Sequence, residues 1–249
     1  MLETIKEKLK EIEERESVKI LHCVESGSRA WGFASPDSDY DVRFIYVRPK
    51  EHYLRLDKAK DVIEWQLDGT LDINGWDLQK ALKLLYKSNP TLFEWNSSPR
   101  VYQTTGEWKE VSSVIEKYFS AEQGLHHYLN IAKSNYRKYL NEDAVRFKKY
   151  FYVLRPLLAC KWILQQKTPP PMLFESLADK YLDESVKPDV KALLKIKTEM
   201  PEISEGKHFD RIDEYLLREI NEIEQIISEF PEKEPQSWEP LNELFFKLI

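Results

Sequence analysis

The sequence predicts an α+β fold, with a mixed sheet and its helices in the N-terminal part and an all-α domain after it. Two observations support this prediction. Runs rich in β-branched and aromatic residues are confined to the part before residue 106, where they alternate with helical patterns. Beyond that point, apolar residues instead recur at helical spacing in one segment after another. We therefore expect two domains, an α/β domain over residues 1–106 and a helical domain over residues 107–249.

The N-terminal domain is expected to begin with a helix and two strands. Apolar residues at helical spacing among charged ones indicate an amphipathic helix over residues 3–16. The apolar run at 18–26 predicts a buried strand, and the β-branched and aromatic run at 40–47 predicts a second one. Between them lies a segment with two glycines and a proline, in which residues 28–33 favour a short helix.

A hairpin and a further helix complete the predicted N-terminal domain. Residues 61–77 contain two strand-like halves around Asp68-Gly69, and an Asp-Gly pair favours the positive φ angles of a tight hairpin turn. Asp77 then precedes a leucine pattern, so we expect it to cap a helix over residues 78–88. Asn89-Pro90 is expected to close that helix.

The C-terminal domain is predicted to be built from helices. A rigid Thr-Pro-Pro-Pro segment at 168–171 divides it, and the final LNELFFKLI is an apolar segment expected to pack back on the body. The helical patterns cover residues 107–119, 121–140, 143–166, 173–182, 186–199 and 208–229.

Composition and charge exclude several classes of protein. In 249 residues, 42% are hydrophobic and 12% aromatic, which is enough for a packed core. The net charge of −6 excludes binding of nucleic acid by bulk positive charge, although not by a local basic groove. Two cysteines without a CxxC pair exclude a disulfide scaffold. No apolar run approaches the ~20 residues of a membrane span, and the charged N-terminus has no signal-peptide core. We therefore expect a cytoplasmic protein without membrane contact.

The most informative pattern lies between the first two predicted strands. The first strand runs into Gly27-Ser28, and the second opens at Asp39-Tyr40-Asp41 after a spacer of ten residues. Side chains alternate along a strand, so Asp39 and Asp41 are expected on one side, where they repel each other unless a cation lies between them. Carboxylate oxygens suit Mg²⁺, and Mn²⁺ is the alternative. Glycine allows close backbone approach, and a serine hydroxyl with neighbouring amides can hold phosphate oxygens. The pattern therefore indicates phosphoryl or nucleotidyl transfer rather than a simple polar turn.

The hairpin offers a third carboxylate. Asp72 shares a strand face with Asn74, and a carboxylate in the centre of a sheet needs a partner such as a shared metal. Glu64 and Asp77 are the alternatives. In the two-metal scheme, Asp39 and Asp41 would bind the metal that holds the triphosphate, and all three carboxylates would bind the second. Asp72 is also the candidate general base.

One helix of the C-terminal domain carries a set of polar side chains on one face. Lys148, Tyr152 and Arg155 recur at i, i+4 and i+7, with Lys149 beside them. Pro156 is expected to kink this helix. Such side chains can neutralise a triphosphate and stack on a base, so we expect them to bind nucleotide. The alternative is an ordinary solvated helix face.

These motifs resemble those of the DNA polymerase β-like nucleotidyltransferase superfamily. The resemblance rests on Gly27-Ser28 followed by Ser38-Asp39-Tyr40-Asp41. Within the superfamily, the chain resembles the branch described as the RNA repair pathway DNA polymerase β family, through LDINGWDL, KALKLLYKSNPTLFEW and KKYFYVLRPLLACKW. This branch resemblance covers roughly residues 18–166. It implies a nucleotidyltransferase-type catalytic domain, a helical domain for nucleotide or acceptor, and Ser38 among the nucleotide-binding residues.

The function that follows is metal-dependent transfer of NMP from an NTP to a hydroxyl acceptor, with release of pyrophosphate. ATP is the expected nucleotide, and an RNA end is one candidate acceptor because the resemblance implies RNA repair. A protein side chain or a small hydroxylated molecule is an alternative acceptor, since a fold does not fix its substrate. A regulatory or antitoxin-like module that binds nucleotide without turnover is the alternative from another class.

Overall fold

The computed structural model describes residues 1–57, 60–141, 144–201, 204–228, 230 and 236–249. The chain forms two compact units. The first comprises Met1–Ala30, Asp39–Tyr118 and Pro235–Ile249, and the second comprises Trp31–Ser38 and Phe119–Glu234. This grouping differs from the predicted division after residue 106. The structure nevertheless confirms the predicted class, because the first unit holds a mixed sheet with helices and the second is mainly helical.

Every helix and strand that the sequence predicts is present, in the predicted order. Six further elements among the described residues were not predicted, and they cover residues 50–53, 90–96, 101–104, 145–146, 205–206 and 239–248. In chain order, the helices and strands are α1 (Leu2–Glu16), β1 (Lys19–Glu25), α2 (Gly27–Trp31), β2 (Tyr40–Val47), α3 (Lys50–Tyr53), β3 (Val62–Asp68), β4 (Leu71–Asp77), α4 (Leu78–Tyr86), α5 (Pro90–Asn96), β5 (Val101–Thr104), α6 (Gly106–Ile115), α7 (Ala121–Tyr139), β6 (Val145–Arg146), α8 (Lys148–Gln166), α9 (Phe174–Tyr181), α10 (Lys187–Glu199), β7 (Glu205–Gly206), α11 (Asp210–Ser228) and α12 (Glu239–Leu248).

The sheet of the first unit has the order β3-β4-β2-β1-β5. The β2–β4 pair is parallel, and the other neighbouring strands are antiparallel. One face is packed by the apolar stripe of α1, whose Ile5, Leu9 and Ile12 share a core with Val42 and Phe44. Because side chains alternate along a strand, the residues next to these two on β2 are directed to the opposite face. That opposite face carries the predicted carboxylates.

Polar side chains cap two helices of the first unit. The Asp77 carboxylate accepts from the Gln79 amide at 2.8 Å, and the Tyr53 hydroxyl donates to it at 2.9 Å. The predicted capping role of Asp77 is therefore confirmed. Asn89-Pro90, expected to close a helix, also opens α5. The Asn89 side chain accepts from the Thr91 amide at 3.0 Å, and Pro90 takes the first turn, where its missing N–H costs nothing.

Contacts at both ends of the first unit explain why it extends past residue 106. Trp108 of α6 stacks on His22 of β1, with ring centroids 4.6 Å apart. At the C-terminus, Phe245 of α12 packs edge-on against Tyr53 at 5.1 Å. The apolar C-terminal segment therefore packs back on the sheet domain, although the sequence pattern alone assigned it to the helical domain.

In its described residues the second unit is mainly helical, and its two-residue strands β6 and β7 pair antiparallel. Its central element is α8, which is buried along most of its length and runs through Pro156. No helix in the described part of the chain is both long and apolar enough to cross a membrane.

His22 should make stability depend on pH. Its side chain is 5% exposed, and burial lowers its pKa to about 4. Between this value and the ordinary 6.5 the unfolded chain takes up a proton that the folded chain refuses, so stability falls as the pH drops. We expect a loss of about 2 kcal/mol in the free energy of unfolding between pH 6.5 and 5, measured by urea denaturation. The His22→Gln variant should not show this loss of stability between pH 6.5 and 5. The His126→Gln variant, changed at an exposed position, should show the same loss as wild type.

Candidate active site

Two of the predicted carboxylates lie directly opposite each other. Asp41 on β2 and Asp72 on β4 are partners in the parallel register. Neighbouring strands are about 4.8 Å apart, so two negative charges are held close together. Both side chains reach solvent, with 30% of Asp41 and 52% of Asp72 exposed. The sheet therefore presents an accessible pair of carboxylates on the face away from α1.

Arg43 bridges this pair. Its Nη2 donates to Asp41 Oδ1 at 2.9 Å and to Asp72 Oδ2 at 2.7 Å. Its Nη1 donates to the carbonyl oxygens of Val42 at 3.1 Å and Asp72 at 3.0 Å. The sequence motifs did not indicate a role for Arg43, which they place only within a predicted strand. Strand alternation was the available signal, since residues 41 and 43 must share a face.

Gly27 lies against the Asp41 carboxylate. Its φ is +58°, which disfavours a side chain, and a Cβ built on it would come within 2.0 Å of Asp41 Oδ2. The Ser26 amide also donates to the Asp41 carbonyl at 2.8 Å. The turn after β1 therefore fits closely around Asp41, which explains why the sequence uses glycine there. Ser28 follows in α2 and is partly exposed.

A buried carboxylate, that of Glu25, contacts the backbone of Asp41 from the interior of the first unit. It is fully buried, its Oε1 accepts from the Asp41 amide at 2.7 Å, and its Oε2 accepts from the Tyr102 hydroxyl. Burial raises the pKa of Glu25. No sequence motif indicated a role for Glu25, because it lies in an apolar run that is typical of a buried strand. Its role is to hold the backbone of Asp41 in place.

Glu25→Ala should destabilise the protein by about 3 kcal/mol, since it leaves two buried donors without their acceptor. Glu25→Gln should cost about 1 kcal/mol or less, because it retains an acceptor oxygen and removes a charge that burial disfavours. Urea denaturation of both variants tests this expectation. Glu64→Ala on β3 is the matched control, since that exposed side chain should change stability by no more than about 0.5 kcal/mol. Equal stability of Glu25→Ala and wild type would contradict the assigned role.

Asp39 directly precedes β2 and is exposed. Its carbonyl oxygen accepts from Arg29 Nε at 3.0 Å, and the Arg29 guanidinium lies 3.7 Å from the centroid of the Tyr40 ring. These contacts tie the start of β2 to α2. The backbone of Asp39 is therefore fixed two residues before Asp41.

The alternatives for the third carboxylate lie elsewhere. Glu64 on β3 is opposite Asn74, two residues along β4 from Asp72, and Asp77 is engaged as a cap. Among the described residues, no group of three or more His, Cys, Asp or Glu side chains is gathered so that it could hold a metal ion. The expected cluster of Asp39, Asp41 and Asp72 is therefore not assembled as such. Two of its members share the Arg43 guanidinium instead.

The donor set nevertheless fits a divalent cation. Carboxylate oxygens are the ligands that Mg²⁺ and Mn²⁺ prefer. Asp41 and Asp72 already share one cationic group, and both are partly exposed. Arg43 shows that this part of the sheet accommodates positive charge between the two side chains.

Ser38 belongs to the second unit, in the segment Trp31–Ser38 that precedes Asp39. Its Oγ accepts from the Ser35 amide at 2.9 Å, and its own amide donates to the Ser35 carbonyl at 3.1 Å. The buried Lys197 ammonium donates to Ser35 Oγ at 2.7 Å. Ser38 is buried and thus shapes the turn that leads into Asp39.

The four predicted residues of α8 differ in their surroundings. Lys148, Lys149 and Tyr152 are partly exposed. The Lys149 ammonium lies 3.8 Å from the Tyr139 ring centroid and 4.7 Å from that of Tyr152, and burial lowers its pKa. A lysine between two tyrosine rings is a cationic and aromatic surface of the kind that binds phosphates and bases.

Arg155 is different, because only 3% of it is exposed. Its guanidinium lies 4.8 Å from the Trp31 ring centroid, and its Nε donates to the Met172 carbonyl at 3.3 Å. Trp31 in turn packs edge-on against Tyr152 at 6.1 Å. The structure thus places Arg155 in the interior of the second unit, where it holds the start of the 31–38 segment.

The sheet thus holds Asp41 and Asp72 on neighbouring parallel strands and places Asp41 beside the Gly27-Ser28 turn. These residues belong to the motifs through which the chain resembles polymerase β-like nucleotidyltransferases. The comparison with known families assigns the chain to this class. The chain belongs to the RNA repair pathway DNA polymerase beta family, whose model matches residues 1–247. The resemblance that the motifs indicated is therefore confirmed, and the family match extends it from residues 18–166 to nearly the whole chain.

Two further comparisons place the chain among known proteins. It is 42% identical over 253 residues to the uncharacterized protein YcgL of Bacillus subtilis (strain 168), and the match covers 100% of this chain and 96% of that protein. It is also similar to the crystal structure of a nucleotidyltransferase-like protein from Exiguobacterium sibiricum, at 12% identity and a TM-score of 0.33. That match covers 98% of this chain and 79% of the other.

Proposed function

We propose that the protein transfers a nucleoside monophosphate from an NTP to a hydroxyl group, with a divalent metal bound by its carboxylates. The observation that carries this proposal is the direct opposition of Asp41 and Asp72 across the parallel β2–β4 pair. Two accessible carboxylates at this spacing repel each other unless a positive charge lies between them, as that of Arg43 does. Their arrangement supports a role in binding cations during phosphoryl chemistry.

Asp41 and Asp72 would hold Mg²⁺ or Mn²⁺, and the exposed Asp39 side chain would complete the donor set. When bound, the metal would neutralise the triphosphate and favour ionisation of the acceptor hydroxyl. In the reaction the acceptor oxygen forms a bond to the α-phosphorus. The bond from that phosphorus to the bridging oxygen breaks, and pyrophosphate leaves with the bonding electrons. Asp72, more than half exposed, accepts the hydroxyl proton directly or through water.

The turn after β1 supports the phosphates. The glycine at position 27 lets this turn fit closely against the Asp41 carboxylate, and the Ser28 hydroxyl and nearby backbone amides donate hydrogen bonds to phosphate oxygens. We assign Ser38 to the same function indirectly, through the turn that it stabilises ahead of Asp39.

The second unit contributes cationic and aromatic side chains. Lys148 and Lys149 bind phosphate groups of the nucleotide or the acceptor, and Tyr152 offers a ring for stacking. The buried Arg155 acts through Trp31 rather than by touching the nucleotide. This assignment revises the direct nucleotide contact that the helical spacing predicted for Arg155.

We propose ATP as the nucleotide and an RNA end as the acceptor. The description of the family supports RNA as the acceptor. Lys148 and Lys149 at the start of α8, with the rings of Tyr139 and Tyr152 beside Lys149, supply the local basic surface that an acidic chain needs to contact RNA. Protein side chains and small hydroxylated molecules are the competing acceptors.

The experiment is a transfer screen with each α-labelled NTP, Mg²⁺ or Mn²⁺, and separate pools of short RNAs, proteins and small hydroxylated molecules. Wild type runs beside the Asp39→Ala/Asp41→Ala double variant. Label transferred to RNA by wild type alone is the expected result. Label transferred to proteins or to small hydroxylated molecules instead would show that the acceptor is not RNA. Metal-dependent NTP binding without transfer to any pool would favour a nucleotide-binding regulatory module.

A further inference from the structure

We propose that Arg43 is a positioning residue that substitutes for the metal between Asp41 and Asp72 and passes to the phosphates when the nucleotide binds. The inference rests on the proposed function and adds an order of events to it. Its consequence is that metal and nucleotide bind cooperatively, because each relieves the cost of moving Arg43.

The hydrogen bonds of Arg43 divide into two sets. One nitrogen, Nη2, donates hydrogen bonds to both carboxylates, at 2.9 Å to Asp41 and 2.7 Å to Asp72. The other, Nη1, serves two backbone carbonyls, which are neutral and belong to the sheet itself. A metal competes only for the carboxylates. The carbonyl contacts can keep the guanidinium nearby after Nη2 has been displaced.

The charges explain why this exchange matters. A guanidinium stays protonated at any pH that the protein meets, so it cannot leave the pair by losing its charge. It balances one of the two negative charges of the Asp41–Asp72 pair and so reduces the repulsion between them. Metal binding alone must therefore break two charged hydrogen bonds of Arg43 without replacing them.

A nucleotide changes this balance, because phosphate oxygens offer Arg43 two acceptors that match its planar geometry. The displaced guanidinium then gains a new partner, and the metal affinity rises. By linkage, the metal raises the nucleotide affinity by the same factor. Arg43 also has only 18% of its side chain exposed, so these contacts are only partly screened by water.

The test is Mn²⁺ binding, measured from the EPR signal of free Mn²⁺, with and without a non-hydrolysable ATP analogue. Arg43→Gln should bind Mn²⁺ about tenfold more tightly than wild type without nucleotide and should lose most of the enhancement by the analogue. In EDTA the variant should melt at a lower temperature than wild type, and Mn²⁺ should restore much of the difference.

Two further variants separate the possible failures. Arg48→Gln is the matched control, since Arg48 pairs with Glu16 at the other end of β2, and its Mn²⁺ affinity should equal that of wild type. Wild-type Mn²⁺ affinity and nucleotide enhancement in Arg43→Gln would overturn the inference and leave the proposed function intact. Wild-type Mn²⁺ affinity in Asp41→Asn/Asp72→Asn would overturn the metal site, and the inference with it.

Discussion

Replacing Asp72 with asparagine is expected to lower the rate of nucleotidyl transfer at least about 10³-fold while leaving the fold intact. Asparagine has the same shape and still offers an oxygen to Arg43. It loses the negative charge that binds a metal and the ability to accept the hydroxyl proton. The Asp72 side chain is 52% exposed, so the weakened ion pair should cost about 1 kcal/mol or less of stability.

The measurement compares transfer rates with the acceptor from the screen and melting temperatures in EDTA. Asp41→Asn should likewise lower the transfer rate strongly while leaving the melting temperature close to that of wild type. Asp61→Asn is the control, because Asp61 is an exposed carboxylate paired with Lys80 at 3.2 Å, away from the Asp41–Asp72 register. It should transfer at the wild-type rate. Wild-type turnover by Asp72→Asn would leave Glu64 to be tested as the third carboxylate.

The sequence was sufficient for the local half of this site. Strand, turn and DxD patterns depend on neighbouring residues, so Gly27, Ser28 and the start of β2 could be located without a structure. The position of Asp41 opposite Asp72 could not be predicted from the sequence. It depends on β4 pairing with β2 in parallel as well as with its hairpin partner β3, and pairing between strands distant in sequence leaves no local pattern.

Two supporting residues were missed for the same reason. Glu25 is a carboxylate in an apolar strand, and its meaning depends on Tyr102, which is 77 positions away in the chain. In the sequence, Arg43 is one charged residue within a strand, and only the pairing of β2 with β4 places Asp72 within hydrogen-bond distance of it. The roles of Glu25 and Arg43 therefore depend on contacts with residues that are distant in sequence and meet only in the folded sheet.

Arg155 illustrates the limit of helical periodicity. Spacing showed that Lys148, Tyr152 and Arg155 share a stripe of α8, but it could not show which part of that stripe other elements cover. The N-terminal part stays accessible, whereas Arg155 lies one turn further along, in the part that is buried. An arginine on a helix that is covered on most sides can hold the fold rather than a ligand.

Gly27→Ala should have the second large effect, through the position of Asp41. The new Cβ would lie 2.0 Å from Asp41 Oδ2 and 2.9 Å from its Cγ, so the carboxylate must move. A displacement of about 1 Å in a catalytic group can cost about 10²-fold in rate. The φ of +58° adds strain of about 1 kcal/mol. We therefore expect transfer to fall about 10²-fold or more, with a loss of stability of about 1–2 kcal/mol.

Gly106→Ala is the matched control, because a Cβ at that position meets nothing within 4 Å. It should leave transfer unchanged and stability equal or slightly higher. A double-mutant cycle with Asp41→Ala then separates the two costs of Gly27→Ala. Removing the carboxylate should abolish the part of the destabilisation that comes from the clash and leave the part that comes from φ. If the two substitutions were additive in stability, Gly27 would matter for its backbone conformation alone, and the close fit of the turn around Asp41 would not explain the glycine.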